Sequence, residues 1–365
     1  MQPKKVAVVA EWLTSRGGAE TVVDNLLKIF PRADLYTSVY NQQVFPEYKN
    51  RNVKTTWLQK IPFLSKKHQL LAPLLPIAMR NFKVMGYDLI ISSSSSVGKF
   101  IKKTPGCIHI CYCHTPMRYA WEPKTDNRII KLPLGNIFVK ILKKWDLESN
   151  GEIDYFVSNS KYTAERIKKF YHKTATVIYP PVNINNANKN ITNSTIKSDF
   201  YFCISRLVTY KRIDLAIKAC IRLNKRLIIA GDGPETENLK KLASGHENIS
   251  FLGQILDDKK VQLYQKAKAV IFPGDEDFGI VPIEANSFGT VVIALNRGGC
   301  KESLINGLNS VMFDNQTVDG VCDGIKKFEK MRFNQKDIIQ SAQRFLPENF
   351  SKNIKDLINS IESST

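Results

Sequence analysis

Short Val/Ile-rich runs alternate with helix-length stretches along the chain, and this restricts the fold to parallel sheets covered by helices on both faces. In the first half the predicted strands are Val6–Ala10, a segment near Asp34–Thr37, Asp88–Ser92, Ile108–Cys113 and Tyr155–Ser158. Helices there include Glu20–Ile29 and Tyr162–Phe170. In the second half the strands are Phe200–Ile204, Arg226–Ala230, Ile249–Leu252, Ala269–Phe272 and Thr290–Ala294. Helices fit Ile213–Leu223, Glu235–Leu242, Asp258–Lys266, Pro282–Phe288 and Asp319–Lys330.

At 365 residues there is material for two cores. The paired prolines of Tyr179-Pro-Pro-Val182 and the Asn-rich run after them cannot build a core, so the boundary falls at 179–198. This gives domains 1–179 and 180–346, followed by a tail, 347–365. In the tail Phe350, Ile354, Leu357, Ile358 and Ile361 share one helical face, so a last amphipathic helix must dock.

Charge is uneven. Of the net +19, residues 1–180 carry 28 Lys and Arg against 13 Asp and Glu, leaving 25 against 21 for the rest. A basic half faces either a polyanion, such as nucleic acid or an anionic membrane, or simply water. No nucleic-acid module is visible, and Phe63–Lys83 mixes large apolar side chains with cations as a membrane-surface element does. Buried helix-loop-helix packing fits that segment equally, because its prolines forbid one long helix. No apolar run reaches a membrane span, and Val6–Ala10 is too short for a signal-peptide core. The seven cysteines show neither paired nor zinc-site spacing and read as reduced thiols of a cytosolic protein.

Gly274-Asp-Glu-Asp-Phe-Gly-Ile-Val-Pro-Ile-Glu284 is the most informative site candidate. It follows an apolar strand, and Pro282 suits a first helical turn. The amides of Phe278, Gly279 and Ile280 then face the carboxyl end of the strand, where oxygen-rich ligands bind. Glu276 and Glu284 either address two points of one extended ligand or merely complement the helix dipole. Gly17 and Gly18, between a strand and a helix, allow close backbone approach to a phosphate or sugar, or form an ordinary turn. Arg206 leaves the first strand of the second half and Lys211 stands just before a helix, and the two either match diphosphate charge without a metal or are surface charge; Arg212 is a weaker candidate. His114, at a strand end, either hydrogen-bonds a sugar hydroxyl or assists a proton transfer, or is structural. Trp121 and Tyr119 either stack on a sugar or pack in the core. Ser92–Ser96 with Val97-Gly98-Lys99 resembles a phosphate-binding loop only loosely, and Gly231-Asp-Gly-Pro234 lacks the third glycine of a dinucleotide fingerprint.

Together these residues resemble the retaining family-4 glycosyltransferases of the GT-B fold. The likeness runs from Gly17-Gly18-Ala19-Glu20 through Arg206, Lys211, Gly231-Asp-Gly-Pro234, Phe251-Leu-Gly253, Glu276 and Glu284 to Asn296-Arg-Gly-Gly-Cys-Lys-Glu302. The string His114-Thr-Pro-Met-Arg-Tyr-Ala-Trp121 looks most like bacterial O-antigen mannosyltransferases. The resemblance implies an α/β protein of two Rossmann-like domains facing a cleft, with the C-terminal helix crossing back to the N-terminal domain. It implies that Arg206 and Lys211 neutralise the diphosphate, Glu276 holds donor-sugar hydroxyls, and Glu284 binds the ribose. Residues near Gly253, Ile255 included, would border the base. Gly17 and Gly18 would close over the phosphates from the opposite domain, and His114 would lie beside the reacting sugar. No metal or cofactor is expected, the nucleotide sugar being a substrate. Retention is expected by same-face attack, with neither carboxylate as nucleophile.

The expected reaction moves a hexose, mannose from GDP-mannose, to a lipid-linked saccharide during surface polysaccharide synthesis. The enzyme would be cytoplasmic and peripheral on the inner, anionic face of the membrane, without a nucleic-acid partner. The alternatives are a UDP- or ADP-sugar with a soluble acceptor, and a catalytically silent nucleic-acid-binding protein.

Overall fold

The computed structural model describes residues 5–61, 73–123, 129, 134–182 and 197–363. Residues 63–72 of the basic, apolar segment and 183–196 of the expected linker lie outside the described residues. The chain divides into two units, Met1–Pro181 with Pro347–Thr365, and Val182–Leu346.

In the first unit a parallel sheet is built from β1 (Val6–Ala10), β2 (Asp34–Thr37), β3 (Val53–Thr55), β4 (Leu89–Ser94), β5 (Ile108–Cys113), β6 (Tyr155–Ser158) and β7 (Ala175–Val177). Their order is β3-β2-β1-β4-β5-β6-β7. Every residue of β1 is buried, as a central parallel strand covered on both faces requires. The period of two sends Val6, Val8 and Ala10 to one side with Leu35, Ile91 and helix α1 (Gly18–Ile29), while Ala7 and Val9 face a second core with Ile90. That second core takes Met79 from α2 (Leu75–Arg80) and Leu142 from α3 (Gly135–Glu148). Helix α4 (Lys161–Tyr171) starts at Ser160, whose side chain caps the Thr163 amide.

The second unit holds β8 (Tyr201–Ile204), β9 (Leu227–Ala230), β10 (Ile249–Phe251), β11 (Ala269–Phe272), β12 (Val291–Leu295) and β13 (Ser310–Phe313), in the order β10-β9-β8-β11-β12-β13. All the pairings between them are parallel. Around this sheet lie α5 (Ile213–Arg222), α6 (Asp257–Lys266), α7 (Ile280–Ser287) and α8 (Val318–Lys330). The last helix, α9 (Pro347–Glu362), belongs to the first unit, where Phe350, Ile354, Ile358 and Ile361 enter the core that holds Val8 and Leu26. All seven cysteines are buried and free.

Candidate functional site

In the second unit the chain runs outward from β8 through β9 to β10, then returns to lay β11 on the other side of β8. Loops leaving the carboxyl ends of β8 and β11 therefore diverge, and such a reversal point leaves a crevice that suits a ligand. The sequence puts its site candidates on these two loops. After β8 come Arg206, which is exposed, and a 3₁₀ turn ending at Lys211. After β11 comes the 274–279 loop, which turns at Gly279 (φ 86°) into α7.

Lys211 and Glu276 meet as an ion pair, Nζ against Oε1, with side chains only 17% and 15% exposed. A pair so placed keeps its charge local and leaves both groups beside the crevice. Arg212 forks onto Asp214 at 3.0 and 3.1 Å, so its guanidinium is committed within its own helix start. Glu284 faces a different element. Its carboxylate accepts from Tyr264 Oη at 2.9 Å and from Lys260 Nζ at 3.4 Å, both on α6. Burial raises the Tyr264 hydroxyl well above its ordinary range, with Glu284 adding to the shift. Burial opposes the charge on Lys260, but Glu284 and Asp257 outweigh it and raise that group.

Close backbone contact locks these loops together. A Cβ on Gly231, whose φ is +111°, would overlap the Ser205 carbonyl, so the Gly231-Asp-Gly-Pro234 turn can lie against the loop that carries Arg206. Gly299 likewise lets the 296–300 segment lie against Asp277 and Phe278, with its amide donating to Glu276 O at 2.8 Å. Phe278 itself is buried against Phe345, so only its backbone is placed for ligand contact. Gly253 receives the Gly231 amide on its carbonyl, and beside it Leu252 and Leu256 are exposed and Ile255 half-buried. These apolar side chains border the sheet's carboxyl edge where a flat ring could rest.

The first unit has its own reversal point, between β1 and β4. Glu11 leaves β1 there, buried, and the serine run leaves β4. His114 follows β5, half-buried, with Ser93 Oγ 2.7 Å from its Nε2. Gly17 caps α1 and Gly18 begins it. A small cavity beside them is lined by Glu11, Trp12, Glu20, Val23, Ser93 and Ser95. Burial pushes Glu20 up to about 7, helped by the Glu11 and Asp24 carboxylates and opposed by hydrogen bonds from the Glu20 and Gly17 amides. Trp121 is partly buried and packs against the core: it stacks on Phe170 at 5.1 Å and donates Nε1–H to Asp146 at 2.6 Å.

The sequence did not mark Glu11, Ser93, Lys260 or Tyr264. The serine run was the available signal for the first pair, read there as a failed phosphate loop. For Lys260 and Tyr264 helical spacing gave only a helix.

Glycosyltransferase Family 4 matches residues 16–186, and Glycosyl transferases group 1 matches residues 185–345. The alpha-1,3/1,6-mannosyltransferase ALG2 of Rhizomucor pusillus is 24% identical over 292 residues, 66% of this chain and 62% of that protein. The GDP-mannose-dependent alpha-(1-6)-phosphatidylinositol monomannoside mannosyltransferase of Mycobacterium tuberculosis is 31% identical over 139 residues, 34% of this chain and 36% of that protein. This chain thus spans under two thirds of either relative. The crystal structure of Anabaena HepE in complex with UDP and glucose aligns with a TM-score of 0.68 over 98% of this chain and 99% of that one, at 18% identity. The two domain matches meet end to end over residues 16–345, and the chain belongs to the family 4 glycosyltransferases of the GT-B fold.

Proposed function

We propose that the protein transfers mannose from GDP-mannose to a lipid-linked saccharide at a membrane surface, with retention of configuration. The observation that carries the reading is the second unit's crevice, where Lys211 pairs with Glu276 and Glu284 stands apart against Tyr264 and Lys260. In this reading Lys211 supplies the cation a diphosphate needs, and the separate carboxylates serve two hydroxyl-bearing rings. Lys211 and Arg206 stabilise the departing diphosphate. Glu276 holds the sugar hydroxyls, with the amides of Phe278, Gly279 and Ile280 beside it. Glu284 holds the ribose, and Gly253 and Ile255 border the base. In the first unit His114 serves the reacting sugar, and Gly17 and Gly18 the phosphates. The acceptor hydroxyl attacks the face the diphosphate leaves, a phosphate oxygen taking its proton, so neither Glu276 nor Glu284 forms a bond to sugar.

Mannose is favoured by the names of the two relatives, and the membrane by α3. There Ile137, Lys140, Ile141 and Lys144 are exposed on one face, a mixture of apolar and cationic groups. Among the described residues no helix is long and apolar enough to cross a membrane. A second reading, a UDP-sugar donor, is favoured by the nucleotide bound in the HepE structure.

Thermal stabilisation by GDP, UDP and ADP separates the donors, since a ligand at 100 times its dissociation constant adds about 2.7 kcal/mol. GDP release that requires both GDP-mannose and a polyprenyl-diphosphate saccharide is the expected result. Stabilisation by UDP alone, or turnover only with soluble acceptors, would overturn it.

A further inference from the structure

The serine run after β4 does bind an anion, and the anion is the chain's own Glu11. Glu11 Oε1 accepts from the Ser95 amide at 3.0 Å, the Gly98 amide at 3.1 Å, Ser94 Oγ at 3.3 Å and the Ser96 amide, while Oε2 accepts from Ser95 Oγ at 2.7 Å. A carboxylate only 7% exposed is stable there because converging amides and hydroxyls replace its water. The consequence is a loop fixed from within.

Adjacent serines of β4 point to opposite faces of the sheet, and each meets a histidine. Ser92 Oγ lies 2.8 Å from His109 Nε2, and His109 Nδ1 lies 2.9 Å from the Glu152 carbonyl. Burial pushes that imidazole down to about 4, which makes it a neutral structural group. Ser93 Oγ meets His114 Nε2 at 2.7 Å. The His114 backbone is held as well: its amide donates to Ser94 O at 2.8 Å, and its carbonyl accepts from Asn159 Nδ2 at 3.0 Å. The Tyr112 ring packs edge-on at 5.1 Å.

We propose that Ser93 and Glu11 are positioning residues for His114. Ser93 fixes the plane of the imidazole by engaging Nε2, and Glu11 fixes Ser93 by holding the loop that follows it. The two ring nitrogens are distinct, and a ring flip exchanges their places, so an unheld ring would present the wrong atom part of the time. The proposal takes His114's place in the chemistry from the glycosyltransfer reading, while the ring's orientation is independent of it.

The test is ¹⁵N NMR of the full chain labelled at histidine, with the His114 signals assigned by their loss in His114→Asn. Ser93→Ala is expected to change the His114 ring-nitrogen shifts and titration while leaving those of His109 in place, and Ser93→Thr is expected to restore them. Ser95→Ala, which removes one donor to Glu11, should move the same signals less. Turnover of Ser93→Ala should fall about tenfold, as loss of one hydrogen bond allows, with KM for the donor unchanged. Unaltered His114 signals in Ser93→Ala would overturn the proposal. Altered signals with full turnover would uphold the positioning and remove His114 from the chemistry instead.

Discussion

Lys211 and Glu276 belong to loops on either side of the point where the second unit's sheet reverses direction, and their side chains meet as an ion pair. Each group therefore holds the other in place before any ligand arrives. Lys211→Ala should lower turnover by about 10²- to 10³-fold, the size expected for removing one stabiliser of developing charge. It should also weaken stabilisation by the free nucleoside diphosphate, read by thermal shift. Glu276→Gln keeps the shape, so it should reduce turnover while leaving nucleoside diphosphate binding within about twofold. Equal loss of nucleotide binding in both variants would place Glu276 on the diphosphate rather than the sugar.

Tyr264→Phe deletes one donor to Glu284 without changing the packing. Nucleotide affinity should fall about fivefold, matching a net hydrogen bond of about 1 kcal/mol. Calorimetry of the full chain with the preferred nucleoside diphosphate measures this, and unchanged affinity would mean that Glu284 is held by Lys260 alone.

Gly231→Ala should destabilise the second unit by about 3 kcal/mol or more, because overlap with the Ser205 carbonyl adds to an unfavourable φ. Gly245→Ala is the control: φ is +80°, but nothing lies within 4 Å of the added carbon, and the cost should be about 1 kcal/mol. Differential scanning calorimetry compares the two. Similar losses would show that strain alone, and no loop contact, dictates Gly231.

Glu20 is faced by Glu11 and Asp24 and stands at about 7 in the folded chain against an ordinary 4.5. The folded form binds this proton more tightly than the unfolded chain does. Its contribution to stability is therefore complete below about pH 4.5 and is lost as pH rises through about 7, a change of about 3 kcal/mol. Glu20→Gln should be more stable than the parent at pH 8 and no more stable at pH 5. A Tm difference that stays constant between those pH values would refute the shift.

His109 has the opposite sign. Its folded value lies near 4 against an ordinary 6.5, so its contribution is complete above about pH 6.5 and is lost as pH falls through about 4. Its ring signals should not titrate between pH 8 and pH 5. A midpoint near 6 would show that water reaches the imidazole.

The central strands were legible because burial writes itself as apolar runs: Val6–Ala10 and Ala269–Phe272 were read to the residue, as was Ile108–Cys113, whose run only His109 breaks. The first sheet's edge strands were not. Val53–Thr55 and Ala175–Val177 are three residues long and incompletely buried, so they lack that signature. Helix α3 was missed because exposed Ile137 and Ile141 spoil its one-sided pattern. Within the site, positions before and after strand ends could be read from sequence. Contacts made by residues distant along the chain, such as Glu11 with Ser95 or Tyr264 with Glu284, could not, because only folding brings them together.

Helix α9 completes the core around Val8 and Leu26, yet the ribosome makes it only after the whole second unit. The first unit must therefore wait, its apolar face uncovered, while all of Val182–Leu346 is synthesised. The second unit is complete in sequence by Leu346 and can finish first. Order of birth and order of maturation are thus reversed in this chain. A stop codon before Pro347 would strike hardest at the segment translated earliest.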